Sequence, residues 1–86
     1  MSTPMVSQKT ADSSLMRLAK AARAAGVSKQ TVEYYILLGL IHPIRKPGHA
    51  GRFFDKALAR RIRLIHQLNE SGYTLRSIRE TYLRRA

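Results

Sequence analysis

Apolar positions recur at helical spacing in two neighbouring stretches. Alanines make Leu18–Ala25 a strong helix former, and Gly26 is placed to end that helix because glycine readily takes the positive φ of a helix C-terminus. Ser28 is a good N-cap for a second helix over residues 29–38, and Gly39 follows it. Two short helices joined by a tight turn that contains glycine predict a helix-turn-helix.

A different pattern follows over residues 41–54. Short β-favouring pieces flank a loop that contains two prolines and two glycines, which predicts a two-stranded ribbon around a loop. Arg45, Lys46 and Arg52 place positive charge on both arms of this ribbon. A basic ribbon in this position is typical of the wing of a winged helix.

Helical spacing returns after Asp55, which is placed to cap a third helix that reaches about Glu70. The apolar stripe of this helix is expected to pack in the core and consists of Leu58, Ile62, Ile65 and Leu68. Gly72 breaks the helix, and Thr74 caps a shorter fourth one. The stripe of the fourth helix consists of Leu75, Ile78 and Tyr82. A solvated or supporting face of the third helix carries Arg60, Arg61 and Arg63.

These elements predict a mainly α fold, a winged helix-turn-helix with about four helices and a two-stranded wing. The chain of 86 residues suits one domain with a modest core, placed here at residues 15–86. Residues 1–14 are rich in serine and threonine and show no apolar periodicity, so we expect a disordered tail there.

The strong positive charge of the chain indicates what kind of partner it binds. The formal net charge is +11, and Lys9 and Asp12 cancel in the first fourteen residues, so the excess lies in the predicted domain. Such a field attracts polyanions, because each cation that neutralises a phosphate releases a counterion. Nucleic acid is the favoured partner of so basic a domain. An anionic membrane surface and ribosome-like RNA packing are the rivals.

The absence of cysteine excludes thiolate metal sensing and CxxC redox chemistry within this chain and fits a reducing cytoplasm. No apolar run approaches the roughly 20 residues that span a bilayer, and the first residues lack the pattern of a signal peptide. We therefore expect a soluble cytoplasmic protein associated with the nucleoid, with no membrane partner.

The order of several short motifs resembles the DNA-binding domain of the MerR family. The motifs are Gly26-Val27-Ser28, Thr31-Val32-Glu33-Tyr34-Tyr35, Gly39-Leu40-Ile41, a loose wing match at Ala50-Gly51-Arg52-Phe53-Phe54, and Ser71-Gly72-Tyr73-Thr74-Leu75. The resemblance covers residues 16–83. It implies binding of promoter DNA as a dimer, with the second helix in the major groove and the wing across adjacent phosphates. It also makes RNA polymerase a candidate partner.

The candidate DNA contacts form two groups. At the start of the second helix, Gln30 suits adenine and Lys29 suits guanine or a phosphate. Tyr34 and Tyr35 point about 100° apart, so one should pack and the other, Tyr34, should reach a phosphate. The full set of candidate contacts is Arg17, Ser28, Lys29, Gln30, Thr31, Tyr34, Arg45, Lys46 and Arg52.

Three features depart from the family pattern. Glu33 stands where arginine is usual, and it either accepts a hydrogen bond from a cytosine amino group or pairs with a neighbouring basic side chain, the role we favour. The run Ile36-Leu37-Leu38 replaces mostly charged residues and suggests an exposed apolar pair. The chain stops at Ala86 without a dimerisation helix, so we expect two-fold assembly through another surface or cooperatively on DNA.

Nothing in the chain points to catalysis or to a cofactor. His42, His49 and His66 have no ligand spacing, so neither a metal site nor an enzyme is expected. The leading hypothesis is sequence-specific binding of double-stranded DNA by a small transcription regulator. The alternatives are an excisionase-like architectural factor and a protein-interaction module similar to chaperone modulators, which resemble this domain without binding DNA.

Overall fold

The computed structural model describes residues 15–83, and the side chains of residues 15–81. Within that range the chain forms four α-helices, which are α1 at Leu18–Ala25, α2 at Lys29–Leu37, α3 at Lys56–Glu70 and α4 at Leu75–Ile78. A π-helical segment, Arg79–Leu83, continues α4. The predicted N-terminal tail lies outside the described residues, as does the side chain of Tyr82.

The four predicted helices are confirmed, and so are the three predicted N-caps at Ser28, Asp55 and Thr74. The hydroxyl of Ser28 accepts from the amide of Thr31, and the carboxylate of Asp55 accepts from the amide of Leu58 at 2.8 Å. Thr74 caps α4 in the same way. Each cap satisfies a backbone N–H at a helix start, which has no partner inside the helix. The second helix ends at Leu37, one residue earlier than predicted.

A glycine makes the turn between α1 and α2 tight. Gly26 has a φ of 77°, its amide donates to the carbonyl of Arg23, and the next amide, that of Val27, donates to Ala22 at 3.0 Å. This pair of bonds is the usual way a helix ends on a left-handed residue. The chain therefore leaves α1 and enters α2 within three residues, and the two helices pack against each other.

The core is formed where α1 packs against both α2 and α3, and where α4 packs against α3. Alanines on the buried face of α1 allow this close approach. The predicted stripe of α3 contributes Ile62 and Ile65, both fully buried, while Leu58 and Leu68 are partly buried at its edge. Burying each isoleucine contributes about 1.5–3 kcal/mol.

The wing differs from the predicted two-stranded ribbon. The described residues contain no strand longer than a single bridge: Ile44 exchanges two backbone hydrogen bonds with Phe53 at 2.8 and 2.9 Å, and Phe54 exchanges two with Met16. Towards the loop the pairing stops at Lys46, the next residue of this arm that would face Gly51, because its carbonyl already accepts from the amide of His49. The segment between Ile44 and Phe53 is therefore a loop closed by one pair of bonds.

Two buried phenylalanines anchor this loop to the domain. Phe54 is fully buried and Phe53 is 8% exposed. Their peptide bonds face opposite sides of the chain, so Phe53 pairs with the incoming arm while Phe54 pairs with the residue that leads into α1. No helix of the described range is long and apolar enough to cross a membrane.

Candidate nucleic-acid interface

The first turn of α2 presents exposed polar and basic side chains around free backbone N–H groups. Lys29 and Gln30 are exposed, and this turn holds no acidic residue. The hydroxyls of Ser28 and Thr31 lie 3.0 Å apart and share a hydrogen bond. A helix N-terminus carries partial positive charge, so this turn is suited to an anion.

The two adjacent tyrosines of α2 have the separate environments that helical geometry requires. Tyr35 is buried at 3% exposure, whereas Tyr34 is 51% exposed on the side of the predicted contacts. Burial raises the pKa of the Tyr35 phenol, and the charge of Glu70 raises it further. Tyr35 is therefore a neutral member of the core, and Tyr34 is free to contact a ligand.

The loop closed by Ile44 and Phe53 is shaped by a tight turn. The amide of His49 donates to the carbonyl of Lys46 at 3.0 Å across Pro47 and Gly48, and Gly48 has a φ of 79°. Proline followed by a residue with positive φ is the arrangement of a type II turn. It places Lys46 on the incoming arm, beside the tip of the loop.

Three cations gather around this loop. The guanidinium carbon of Arg17 lies 4.4 Å from the ring centroid of Phe53, and one of its nitrogens donates to the carbonyl of Ala50 at 3.1 Å. The ammonium of Lys46 lies 5.5 Å from the same ring centroid. Arg45 makes a long hydrogen bond, 3.4 Å, to the carbonyl of Gly51. Arg17, predicted only as a candidate contact, thus belongs to the wing in space.

The third predicted wing cation, Arg52, is bound to α2. Its two terminal nitrogens donate to the two carboxylate oxygens of Glu33 at 3.0 and 2.9 Å. These hydrogen bonds and the positive charge of Arg52 hold the pKa of Glu33 below its usual value, despite a smaller opposing effect of desolvation. The preferred role of Glu33, pairing with a neighbouring basic side chain, is confirmed.

Each of the four carboxylates of the described residues has a neighbouring nitrogen, at distances from 2.8 to 3.8 Å. Glu33 binds Arg52, and Asp55 caps α3. Glu70 lies 3.8 Å from the imidazole of His66, and Glu80 lies 3.6 Å from Arg76. No ion pair within residues 15–83 involves the remaining cations of the predicted site, which are Arg17, Lys29, Arg45 and Lys46. Their charge is available to a ligand.

The apolar run at the end of α2 is only partly exposed. Ile36 and Leu38 pack against the core, whereas Leu37 is 78% exposed. The expected exposed pair is therefore a single side chain, since Leu38 turns inward. One exposed leucine is a common surface feature and does not by itself define an interface.

Two residues beside the predicted contacts were missed by the sequence analysis. A cleft of about 350 Å³ beside Gln30 and Tyr34 is also lined by His66 and Asn69 of α3. The side chain of Asn69 donates to the carbonyl of Tyr73 at 2.8 Å and so fixes the turn after α3. These residues lie far along the chain from α2, and their types alone carry no signal of this proximity. Within the described range no three His, Asp or Glu side chains are grouped so as to hold a metal ion.

A capped helix-turn-helix beside a cationic loop is an arrangement typical of DNA-binding domains. The profile of the family described as MerR HTH family regulatory protein matches residues 16–84. The chain therefore belongs to the MerR family of DNA-binding transcription regulators.

Comparison with curated proteins gives the same family. The chain is 32% identical over 62 residues to the mercuric resistance operon regulatory protein of Bacillus cereus. The matched segment is 72% of this chain and 47% of that relative, so the chain spans about half the relative's length. No solved structure matches the chain significantly.

Proposed function

We propose that this chain binds double-stranded DNA sequence-specifically as a cytoplasmic transcription regulator, with the start of α2 in the major groove and the wing loop on phosphates. One observation carries the proposal: no ion pair among the described residues involves Lys29 at the start of α2 or the cations around the loop other than Arg52, which are Arg17, Arg45 and Lys46. This unpaired charge surrounds exposed side chains that are able to read base edges.

The base-reading role falls to the first turn of α2. Gln30 donates and accepts through one amide group, which suits the N6 and N7 edge of adenine, and Lys29 suits the acceptors of guanine. Tyr34, half exposed one turn further along α2, is placed to donate its hydroxyl to a phosphate. Ser28 and Thr31 present hydroxyls beside the free amides of the helix start, where a phosphate is also stabilised.

The backbone-binding role falls to the loop. Arg45 and Lys46 lie on its incoming arm, and Arg17 reaches it from the residue before α1. Contacts of this kind fix the register of a protein on DNA and carry no sequence information themselves. Regulators of this family often dimerise, and we propose that two copies of this chain occupy adjacent half-sites.

Fluorescence anisotropy across a salt series tests the proposal. A random duplex of about 30 base pairs measures non-specific binding, and a pool of genomic fragments reveals preferred sites. We expect affinity to fall steeply with salt and some fragments to bind well above the random duplex. Salt-insensitive binding, or the absence of any preferred fragment, would overturn the proposal.

A pair of double variants locates the contact surface. Arg45→Ala/Lys46→Ala and Arg60→Ala/Arg61→Ala remove the same charge, the first pair from the loop and the second from α3. Each phosphate contact contributes about 0.9 to the salt slope, which is the slope of the logarithm of the binding constant against the logarithm of the salt concentration. The salt slope of the loop variant should therefore fall by about twice that value, and that of the α3 variant by much less. Equal losses would show that charge acts at long range and not through the loop.

The exposed Leu37 favours one second candidate, a surface for a protein partner in place of DNA. That function predicts weak binding to DNA with no preferred fragment and a loss of partner binding in Leu37→Ser. The DNA function predicts that Leu37→Ser leaves DNA affinity unchanged, so the same variant separates the two.

A further inference from the structure

The ion pair between Glu33 and Arg52 joins the two halves of the proposed interface. Glu33 lies in α2, one turn after Lys29 and on the same side of the helix. Arg52 lies nineteen residues later, on the outgoing arm of the loop. Each of the two terminal guanidinium nitrogens donates to a different carboxylate oxygen, a bidentate geometry that fixes orientation as well as distance.

The base of the loop is fixed by the buried Phe53 and Phe54, and Phe54 lies in the same core cluster as Val32 and Tyr35 of α2. Beyond that base the loop is closed by a single pair of backbone bonds, and the polar and cation–π contacts of Arg17, Arg45 and Lys46 stay within the loop and its approach to α1. Among the described residues, the two bonds of this ion pair are the hydrogen bonds that connect the loop to α2. The pair is about one-third to one-half exposed, so its contribution to stability is small and its effect is geometric.

The pair also neutralises a charge that DNA would oppose. An unpaired carboxylate beside Lys29 and Gln30 would repel phosphates at the edge of the groove. For Arg52 to bind a phosphate through the same two N–H groups, it would have to leave Glu33 and expose that carboxylate. This pair of donors therefore serves either Glu33 or a phosphate at any one time.

We propose that Arg52 is a positioning residue, held by Glu33 in the DNA complex as in the free domain, so that the pair sets the angle of the wing to the recognition helix and thereby the selectivity for sequence. The inference rests on the proposed DNA-binding function. It removes Arg52 from the phosphate contacts expected from the sequence and assigns that work to Arg45, Lys46 and Arg17. Glu33 acts as a selectivity determinant without touching a base.

The test uses two double variants that leave the net charge unchanged. Glu33→Gln/Arg52→Gln removes the pair of interest, and Glu80→Gln/Arg76→Gln removes the exposed pair at the end of the domain, whose atoms are 3.6 Å apart. Each is measured by anisotropy across a salt series, on random duplex and on a duplex selected by the unmodified chain. Circular dichroism verifies that both variants fold.

We expect Glu33→Gln/Arg52→Gln to keep the salt slope and the affinity for random duplex, and to lose roughly tenfold in the ratio of selected to random binding. The control pair should change neither. A fall of about 0.9 in the salt slope, with weaker binding to random duplex, would show that Arg52 contacts a phosphate and would overturn the proposal. An unchanged ratio would overturn it as well.

A measurement on the free domain separates this inference from the proposed function. Urea unfolding of Glu33→Gln, Arg52→Gln and the double variant gives the coupling between the two positions without DNA. Coupling in the free domain together with an unmodified chain that shows no salt-dependent DNA binding would overturn the proposed function while confirming the pair. Absence of coupling together with an unchanged ratio of selected to random binding in the double variant, with DNA binding of the unmodified chain intact, would overturn the positioning role alone.

Discussion

Gly51→Ala perturbs the loop at the point where Arg17 closes over it. Gly51 has a φ of 96°, a backbone angle that residues other than glycine rarely adopt. A Cβ added there would lie 2.6 Å from a terminal nitrogen of Arg17 and 3.8 Å from its guanidinium carbon. The guanidinium must then move, and it loses the hydrogen bond to Ala50 and its place over Phe53.

The cost has two parts that a matched variant separates. An alanine at positive φ costs about 1–2 kcal/mol from backbone strain alone. Displacing Arg17 also removes a hydrogen bond worth about 0.5–1.5 kcal/mol and an exposed cation–π contact worth about 0.5–1 kcal/mol. The net loss is smaller than their sum because the displaced guanidinium regains contact with water. Gly48 has a φ of 79° and open space around the added Cβ, so Gly48→Ala bears the strain without the displacement.

Urea unfolding, followed by helical circular dichroism, measures both variants in the unmodified chain and in Arg17→Ala. We expect Gly51→Ala to lower the free energy of unfolding by about 1 kcal/mol more in the unmodified chain than in the Arg17→Ala background. Gly48→Ala should cost the same in both backgrounds. Equal costs of Gly51→Ala in the two backgrounds would refute the argument, because they would mean that Arg17 does not occupy the space beside Gly51.

Three further predictions concern the helices and the ion pair. Ile62→Ala should destabilise the domain by about 2–5 kcal/mol because it empties a fully buried site, whereas Leu64→Ala on the exposed side of α3 should change the unfolding free energy far less, as urea titration will show. Ser28→Ala should cost about 1 kcal/mol and lower the melting temperature by about 4–8 °C, and Ser28→Asn, which keeps a capping oxygen, should restore most of it. Because the pKa of Glu33 is lowered in the folded state, the stability from its bonds with Arg52 is present at neutral pH and is lost as the pH falls through that lowered pKa. The stability gap between the unmodified chain and Glu33→Gln should therefore close on acidification, and a gap that stays constant through the carboxyl range would contradict this assignment.

The helices and their ends could be predicted from the sequence because their causes are local. Ser28, Asp55 and Thr74 each accept from an amide three residues later, so the capping residue and its partner lie within one turn. The inward face of α3 follows from the spacing of its apolar residues. The wing was predicted less well, since the pairing of Phe54 with Met16 joins segments 38 residues apart, and no local pattern marks it.

The candidate interface was predicted as a set of residues but not as a geometry. Exposure of Tyr34 and burial of Tyr35 follow from helical geometry once the core side of α2 is known. The placement of Arg17 over Phe53 does not follow from the sequence, because Arg17 precedes α1 and Phe53 ends the loop. The partner of Glu33 was likewise open among several basic residues until the fold brought Arg52 to it.

Sequence-specific binding, as proposed, requires the start of α2 to lie in the major groove of DNA. The chain has no cysteine, so Gln30→Cys offers a single attachment point for an iron–EDTA cleaving reagent, and Leu64→Cys on α3 is the matched control. On a duplex selected by the unmodified chain, we expect strand cleavage confined to a few base pairs from position 30 and little localised cleavage from position 64. Localised cleavage from position 64 and none from position 30, under conditions in which anisotropy shows both proteins bound, would contradict this placement of α2.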